Sequence, residues 1–170
     1  FERRLRASRG EGGVVDVAAK FESKRNRTFV YAQSPNAGLI ELDEQPPVAL
    51  DEEAVDITLT VAALLQSKPV TLVQTMRKTV VDGSNTSGFQ RTSLVATDGV
   101  LETEEGPVGI DVVCLEEDSA RKLDTVNLDH GQQVMYNLDR LGLPLIEIAT
   151  APDVKTPDHA QKTAIALGRV

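Results

Sequence analysis

The stretch Ile110-Asp111-Val112-Val113-Cys114-Leu115-Glu116-Glu117-Asp118 joins an apolar run to three successive carboxylates. Its branched apolar residues predict a strand, on which Glu116 and Asp118 should face one way and Glu117 the other. Adjacent carboxylates repel one another, and a hard divalent cation such as Mg²⁺ relieves that repulsion by binding their oxygens. Taken alone, such a cluster more often marks a solvated strand end.

Runs of alternating or apolar residues on both sides of this stretch predict further strands, separated by turn residues. Beside the strand at 108–115, the pattern predicts strands at 14–17, 28–31, 39–42, 70–81, 89–97, 134–136 and 145–148. A turn is predicted at 34–38, and Asp98-Gly99 should end the strand that begins at Phe89. The residues 119–123 suit one helical turn, and 124–133 a polar excursion.

Two helices are predicted from their start signals. Asp51 is a favourable N-cap for apolar residues at helical spacing up to about position 66. Thr156-Pro157-Asp158 combines an N-cap with Pro at the first helical position. These elements predict an α+β fold, a mostly antiparallel sheet with a few packed helices, in a single domain over 1–170.

Composition excludes several classes. Hydrophobic residues make up 41% of the 170 residues, which favours a globular chain over a disordered one. The single cysteine, Cys114, excludes an internal disulfide framework and a cysteine-based zinc site. No apolar run is long enough to span a membrane, so we expect a cytoplasmic protein without a membrane partner.

The charge pattern gives two interpretations of the N-terminal region. The net charge of −8 argues against general nucleic-acid binding, which needs a positive surface. Arg3, Arg4, Arg6 and Arg9 nevertheless form a local basic cluster. It is either a solvated face or a seat for a nucleic-acid backbone.

A polar loop at 82–88, Asp-Gly-Ser-Asn-Thr-Ser-Gly, is the first of two further candidate features. The backbone N–H groups of such loops can bind anions, and Arg77, Lys78 and Arg91 flank it. It lacks the ending of a Walker P-loop, and long hairpin loops share this composition.

Glu147 is the second feature, since it lies in the apolar run Leu145-Ile146-Glu147-Ile148-Ala149. A charge buried there would be costly unless it were paired or bound to a metal. The alternative is that Glu147 faces solvent from an alternating edge strand.

Four runs together resemble a known family. They are 1–6 (Phe-Glu-Arg-Arg-Leu-Arg), 76–92 (Met-Arg-Lys-Thr-Val-Val-Asp-Gly-Ser-Asn-Thr-Ser-Gly-Phe-Gln-Arg-Thr), 114–118 (Cys-Leu-Glu-Glu-Asp) and 138–153 (Leu-Asp-Arg-Leu-Gly-Leu-Pro-Leu-Ile-Glu-Ile-Ala-Thr-Ala-Pro-Asp). In this order they resemble the E subunit of the archaeal glutamyl-tRNA(Gln) amidotransferases, which is related to the B subunit of the bacterial enzymes.

The resemblance implies an ATP-dependent ligase. The family phosphorylates the side chain of Glu on tRNA(Gln) with ATP and Mg²⁺, and ammonia from an asparaginase-like D subunit then completes Gln-tRNA(Gln). It further implies that 1–170 is part of the family's cradle domain, which holds the kinase pocket. An N-terminal segment that carries another metal ligand and the C-terminal tRNA-binding domains are expected to be absent, so the chain alone is expected to be inactive.

The resemblance also assigns residues. The metal ligands would be Glu116 or Glu117, together with Glu147. From the needs of phosphoryl transfer, rather than from the resemblance, we infer that Arg77, Lys78 and Arg91 could neutralise phosphate charge. Ser84, Asn85, Thr86 and Ser87 could likewise bind the phosphate or the aminoacyl end. A non-catalytic module of the same complex, which docks tRNA or a partner protein, is the alternative function.

Overall fold

A computed structural model describes residues 1–4, 9 and 12–170; Arg6 of the basic cluster lies outside the described residues. In these ranges the helices are α1 Val17–Ser23, α2 Glu52–Leu64 and α3 Pro157–Leu167. The strands are β1 Glu2–Arg4, β2 Arg27–Ala32, β3 Lys68–Thr79, β4 Phe89–Thr103, β5 Gly106–Glu117, β6 Arg121–Leu128, β7 Gly131–Asn137 and β8 Pro144–Thr150. The predicted α+β class with mostly antiparallel sheets is confirmed.

The chain divides into two compact units, each with its own sheet. Unit 1 comprises Phe1–Pro47, Arg77–Gln90 and Glu117–Leu143, and unit 2 comprises Val48–Met76, Arg91–Glu116 and Pro144–Val170.

Unit 1 contains a four-stranded sheet in the order β1-β2-β7-β6. β2 and β7 run parallel, whereas β1 and β6 pair antiparallel with their neighbours. Its core is aromatic: Phe29 and Tyr31 of β2 pack with Tyr136 of β7, and all three side chains are buried. The rings of Tyr31 and Tyr136 stack with centroids 5.9 Å apart.

Unit 2 is built on the sheet of order β3-β4-β5-β8. Ala62 and Leu65 at the end of α2 pack with Ile110 and Val113 of β5. Ala166 from α3 joins the same apolar cluster. Both longer helices therefore bury their apolar side against this sheet.

The helix start signals are confirmed by the capping contacts. The Asp51 side chain accepts a hydrogen bond from the Ala54 N–H at 2.8 Å, and α2 begins at the next residue. The Thr156 hydroxyl likewise accepts from the His159 N–H, with Pro157 at the first helical position. These signals act within one turn, so the sequence suffices to read them.

Two predicted strands near the N-terminus were wrong. At 14–17 the side chain of Asp16 caps the N–H of Ala19, so that helix α1 begins at Val17. At 39–42 the chain forms consecutive turns, in which Leu42 N–H donates to the Gly38 carbonyl at 3.2 Å. Local hydrogen bonds prevail there over an apolar pattern that suits a strand.

The predicted turn at Asp98-Gly99 was also wrong, because β4 continues through it to Thr103. Asp98 has a positive φ of 53°, yet Gly99 still pairs with Ile110 of β5. A Cβ on Gly99 would lie 2.0 Å from the Ser67 hydroxyl oxygen. Glycine is needed there for close packing rather than for a reversal of the chain.

The segment after the acidic cluster forms strands instead of the predicted helical turn and polar excursion. Ala120 N–H donates to the Ser84 carbonyl at 2.8 Å, and β6 begins at Arg121. β6 then pairs antiparallel with β7.

No helix in the part of the chain that the structure describes is long and apolar enough to cross a membrane.

Candidate functional site: an anchored polar loop and an acidic sheet face

The 82–88 loop of unit 1 is anchored through its carbonyl oxygens. Tyr31 donates its hydroxyl to the Gly83 carbonyl at 2.6 Å, and Tyr136 donates to the Asp82 carbonyl at 2.8 Å. The Ala120 N–H donates to the Ser84 carbonyl. Three consecutive carbonyl groups are therefore satisfied by donors from the body of the unit.

Arg3 anchors the far end of the loop. Its guanidinium donates to the Thr86 carbonyl at 2.7 Å, the Leu42 carbonyl at 3.0 Å and the Asp43 carboxylate at 3.0 Å. The sequence prediction grouped Arg3 with a solvated or nucleic-acid-binding cluster, and so missed this role. The run 1–6, part of the resemblance, was the signal that could have drawn attention to it.

The loop also packs tightly at Gly83. This residue has a positive φ of 85°, and a Cβ built there would lie 2.4 Å from the Phe29 ring. The glycine thus serves both a left-handed backbone conformation and a close contact with the core.

The middle of the loop leaves amide groups available. Ser84 N–H donates to the Asp82 carboxylate, and Gly88 N–H donates to the Asn85 carbonyl. The N–H groups of Asn85, Thr86 and Ser87 have no acceptor among the described residues. Consecutive backbone amides of this kind form anion-binding concavities.

A cavity of about 220 Å³ opens beside this loop. Its lining combines cationic, aromatic and loop residues: Arg3, Arg4, Phe29, Tyr31, Val80, Gly83, Asn85, Thr86, Ser87 and Gly88. Three of the four residues predicted to bind phosphate, Asn85, Thr86 and Ser87, therefore line one cavity.

The three cations predicted to accompany the loop are not among the residues that line this cavity, and their role stays a prediction. Arg77 lies over the ring of Phe89, 5.7 Å from its centroid. Lys78 is on the exposed strand β3. Arg91 belongs to unit 2, where its guanidinium donates to the Val48 carbonyl. The described lining of the cavity contains Arg3 and Arg4 in their place.

Burial shapes the acidity of the two anchoring tyrosines. It raises the pKa of Tyr136 to about 12 and that of Tyr31 further, with the Asp82 carboxylate acting in the same direction on both. Arg3 opposes the rise in the pKa of Tyr31. Both hydroxyls therefore stay protonated, and so remain donors, far above neutral pH.

The three carboxylates after the apolar run have distinct surroundings. Glu116 is buried, and its carboxylate accepts a hydrogen bond from the Thr92 hydroxyl at 2.8 Å. Glu117 is half-buried at the end of β5. Asp118 forms an ion pair with Arg140 at 3.0 Å and accepts from the Ser119 N–H. The third carboxylate is thus engaged in local structure.

In unit 2, Glu116 and Glu147 lie on the same face of the sheet. Ile146, Ile148 and Leu115 all pack into the apolar clusters beneath α2. Because side chains alternate along a strand, Glu147 and Glu116 project from the opposite face, on the neighbouring strands β8 and β5.

Glu147 is exposed and belongs to an edge strand. Glu147 is therefore not a buried charge; it is a solvent-facing residue in an alternating edge strand, which was the alternative. An exposed carboxylate can still bind a cation, so its role as a ligand stays a prediction. Within the described ranges, no three His, Cys, Asp or Glu side chains converge as a ligand set.

Comparison with known proteins identifies the family. The family model described as the GatB/GatE catalytic domain matches residues 15–170. A protein of Methanocaldococcus jannaschii, named as the E subunit of glutamyl-tRNA(Gln) amidotransferase, is 52% identical over 169 residues, which are 99% of this chain and 26% of that protein. The protein of the same name from Methanosarcina acetivorans is 49% identical over 170 residues, 100% of this chain and 26% of its own.

The chain therefore spans about a quarter of the length of these curated relatives. The match nevertheless runs along almost the whole chain, in the family model and in the individual relatives alike. By this evidence the chain belongs to the GatB/GatE catalytic domain family.

Proposed function

We propose that this chain forms the carboxylate-activating part of a tRNA-dependent amidotransferase. An oxygen of the Glu side chain on tRNA(Gln) attacks the terminal phosphorus of ATP, and ADP leaves. Ammonia supplied by an asparaginase-like partner protein then attacks the carbonyl carbon, and phosphate leaves to give Gln-tRNA(Gln). The observation that carries the proposal is the match to the catalytic domain, together with relatives named for an amidotransferase of glutamyl-tRNA(Gln).

The acidic face of unit 2 supplies ligands of the kind that Mg²⁺ prefers. Magnesium is commonly held by one or two carboxylates and completes its shell with water and substrate phosphates. Glu147 is exposed on its edge strand, and Glu116 lies on the same sheet face. A pair of carboxylates fits this pattern, although three do not converge among the described residues.

We assign the metal to Glu147 with Glu116 or Glu117. Glu116 shares a sheet face with Glu147, yet its carboxylate already accepts a hydrogen bond from Thr92. Glu116 and Glu117 therefore both remain candidates for the second ligand. When bound, Mg²⁺ would neutralise charge on the transferring phosphoryl group. The chain's own contribution would be to hold Glu116 and Glu147 on the neighbouring strands β5 and β8 of unit 2.

The test uses the full-length enzyme with its partner protein. Glu147→Gln should lower ATP-dependent formation of Gln-tRNA(Gln) by at least about a hundredfold, while the affinity for tRNA stays within about twofold. Of Glu116→Gln and Glu117→Gln, the variant that matches this loss identifies the second ligand. Asp118→Asn is the matched control, because this neighbouring carboxylate is engaged by Arg140. Full turnover in Glu147→Gln would refute the assignment.

The second candidate function is a docking module of the same complex. The observation that favours it is strand β3. It is an edge strand, and Leu72 on it is 70% exposed. Glu147→Gln also separates the two functions: weakened affinity for tRNA or for the partner protein, with intact turnover, would favour the docking module.

A further inference from the structure

We propose that the N–H groups of Asn85, Thr86 and Ser87 form a preorganised phosphate-binding site, which Arg3, Tyr31 and Tyr136 hold in place as positioning residues. This inference deepens the proposed function, on which it rests for the identity of the phosphate compound. It assigns the phosphate contact to backbone amides rather than to Arg77, Lys78 or Arg91.

The first support is that the hydrogen bonds from the rest of unit 1 engage the acceptors of the loop and leave its donors. The carbonyl oxygens of residues 82–84 accept hydrogen bonds from Tyr136, Tyr31 and Ala120, respectively. The Thr86 carbonyl accepts one from Arg3. Asn85 is held through its side chain, which accepts from the Ser119 hydroxyl at 3.0 Å. The loop therefore has its acceptors engaged while three successive donors stay available.

The second support is that these three N–H donors have no acceptor among the described residues. Asn85 and Thr86 are only 7% and 8% exposed, yet in the described structure their N–H groups find no acceptor. The adjoining cavity, which Asn85, Thr86 and Ser87 line, leaves room for the missing acceptor.

The third support is the pair of cations in the cavity lining, of which Arg3 is also paired with the Asp43 carboxylate. The chain as a whole carries a charge of −8, yet Arg3 and Arg4 are the charged residues in the described cavity lining. Cations beside backbone amides favour an anion with several oxygens, and phosphate is the common ligand of such nests.

Arg3 acts in this site through the loop. Its guanidinium donates to Thr86 of the loop and to Leu42 and Asp43 of another segment. The planar, forked set of N–H donors of an arginine is suited to joining two segments in this way. Tyr31 and Tyr136 act without any charge, by hydroxyl donation alone. Replacing such a tyrosine by phenylalanine therefore tests whether the loop must be positioned, without changing the charge that attracts an anion.

The experiment is an NMR titration of the isotope-labelled 170-residue chain with inorganic tripolyphosphate, without metal. The amide signals of Asn85, Thr86 and Ser87 should shift in a saturable manner, while those of helix α3 stay fixed. Absence of a saturable shift at these amides in the unmodified chain, with tripolyphosphate and also with the trinucleotide described below, would overturn the proposal, and so would shifts spread evenly over basic residues.

Variants then test the positioning role. Tyr31→Phe and Arg3→Gln should each weaken tripolyphosphate binding by about tenfold, because the loop is no longer held in its binding conformation. Arg3→Lys keeps the charge but loses the fork, and should resemble Arg3→Gln. Arg121→Gln is the control: it removes one cation of unit 1 that pairs with Asp139 instead of the loop.

Restored affinity in Arg3→Lys would show that Arg3 acts only as a charge and would overturn its positioning role. If Arg3→Gln fails to fold, Tyr31→Phe carries the same test without a change of charge. An unchanged affinity in Tyr31→Phe overturns the positioning role of that tyrosine.

A second titration with a cytidine-cytidine-adenosine trinucleotide distinguishes the source of the phosphate. Shifts with tripolyphosphate alone indicate the ATP phosphates, whereas shifts with the trinucleotide alone indicate the tRNA terminus. The binding readout needs no turnover, so its failure is distinct from failure of the proposed function. Amide shifts alongside full turnover of Glu147→Gln would retain the phosphate site and refute the metal assignment.

Discussion

The Tyr31 hydroxyl donates a 2.6 Å hydrogen bond to the carbonyl oxygen of Gly83, linking the second strand of the chain to a loop fifty-two residues further on. Tyr136 makes the equivalent contact with Asp82. The aromatic core of unit 1 is thereby continuous with the loop that borders its cavity.

Alkaline titration should report these contacts, since Tyr31 and Tyr136 are the only tyrosines and the chain has no tryptophan. The ordinary tyrosine pKa of 10.0 is raised to about 12 at Tyr136 and further at Tyr31. The folded state holds these protons more tightly, so the stabilisation is complete below pH 10 and is lost as pH rises through the folded pKa.

We therefore expect little tyrosinate absorbance from the folded chain at pH 10, and ordinary titration in denaturant. Tyr136→Phe should leave a single late titration, that of Tyr31. Appearance of tyrosinate near pH 10 while the near-ultraviolet circular dichroism stays native would contradict the burial of these hydroxyls.

Gly83→Ala should destabilise unit 1 by about 3 kcal/mol, because a Cβ meets the Phe29 ring and the left-handed backbone disfavours alanine. Gly88 is the matched control, since its φ is +79° but a Cβ there has open space. Gly88→Ala should cost only about 1 kcal/mol. Chemical unfolding followed by tyrosine fluorescence measures both, and equal losses would show that the Phe29 contact is unimportant.

Thr92→Val should destabilise unit 2 by about 2 kcal/mol, since the buried Glu116 carboxylate loses a hydroxyl donor. Thr92→Ser keeps the hydroxyl and should recover more than half of that loss. The measurement is the free energy of unfolding in urea. A valine variant as stable as the original chain would show that other contacts of Glu116 compensate.

Arg140→Gln should change the free energy of unfolding by less than about 1 kcal/mol, because the side chain is 53% exposed in its pair with Asp118. The difference should shrink further in molar KCl, where the surface pair is screened. Urea unfolding at low and high salt checks this. A loss of several kcal/mol that salt does not alter would indicate a buried role for the pair.

Much of the fold was accessible from short-range signals. The Asp51 and Thr156 caps and the apolar run before Glu116 each act within a few residues, and the structure places α2, α3 and β5 accordingly. Errors arose where a local hydrogen bond overrode an apolar pattern, as at Asp16, and where strand pairing overrode a turn signal, as at Gly99. The 1–6 motif pointed to Arg3 without revealing its partners.

By itself the sequence determined the α+β class, the principal helices and the family to which the chain belongs, because these depend on residue order and local spacing. The tertiary structure decided that Glu147 is exposed while Glu116 is buried, since burial depends on strand position within the sheet. It also decided that Arg3 and the two tyrosines hold the 82–88 loop. Those contacts join residues up to 83 positions apart, and their geometry exists only after the chain has folded.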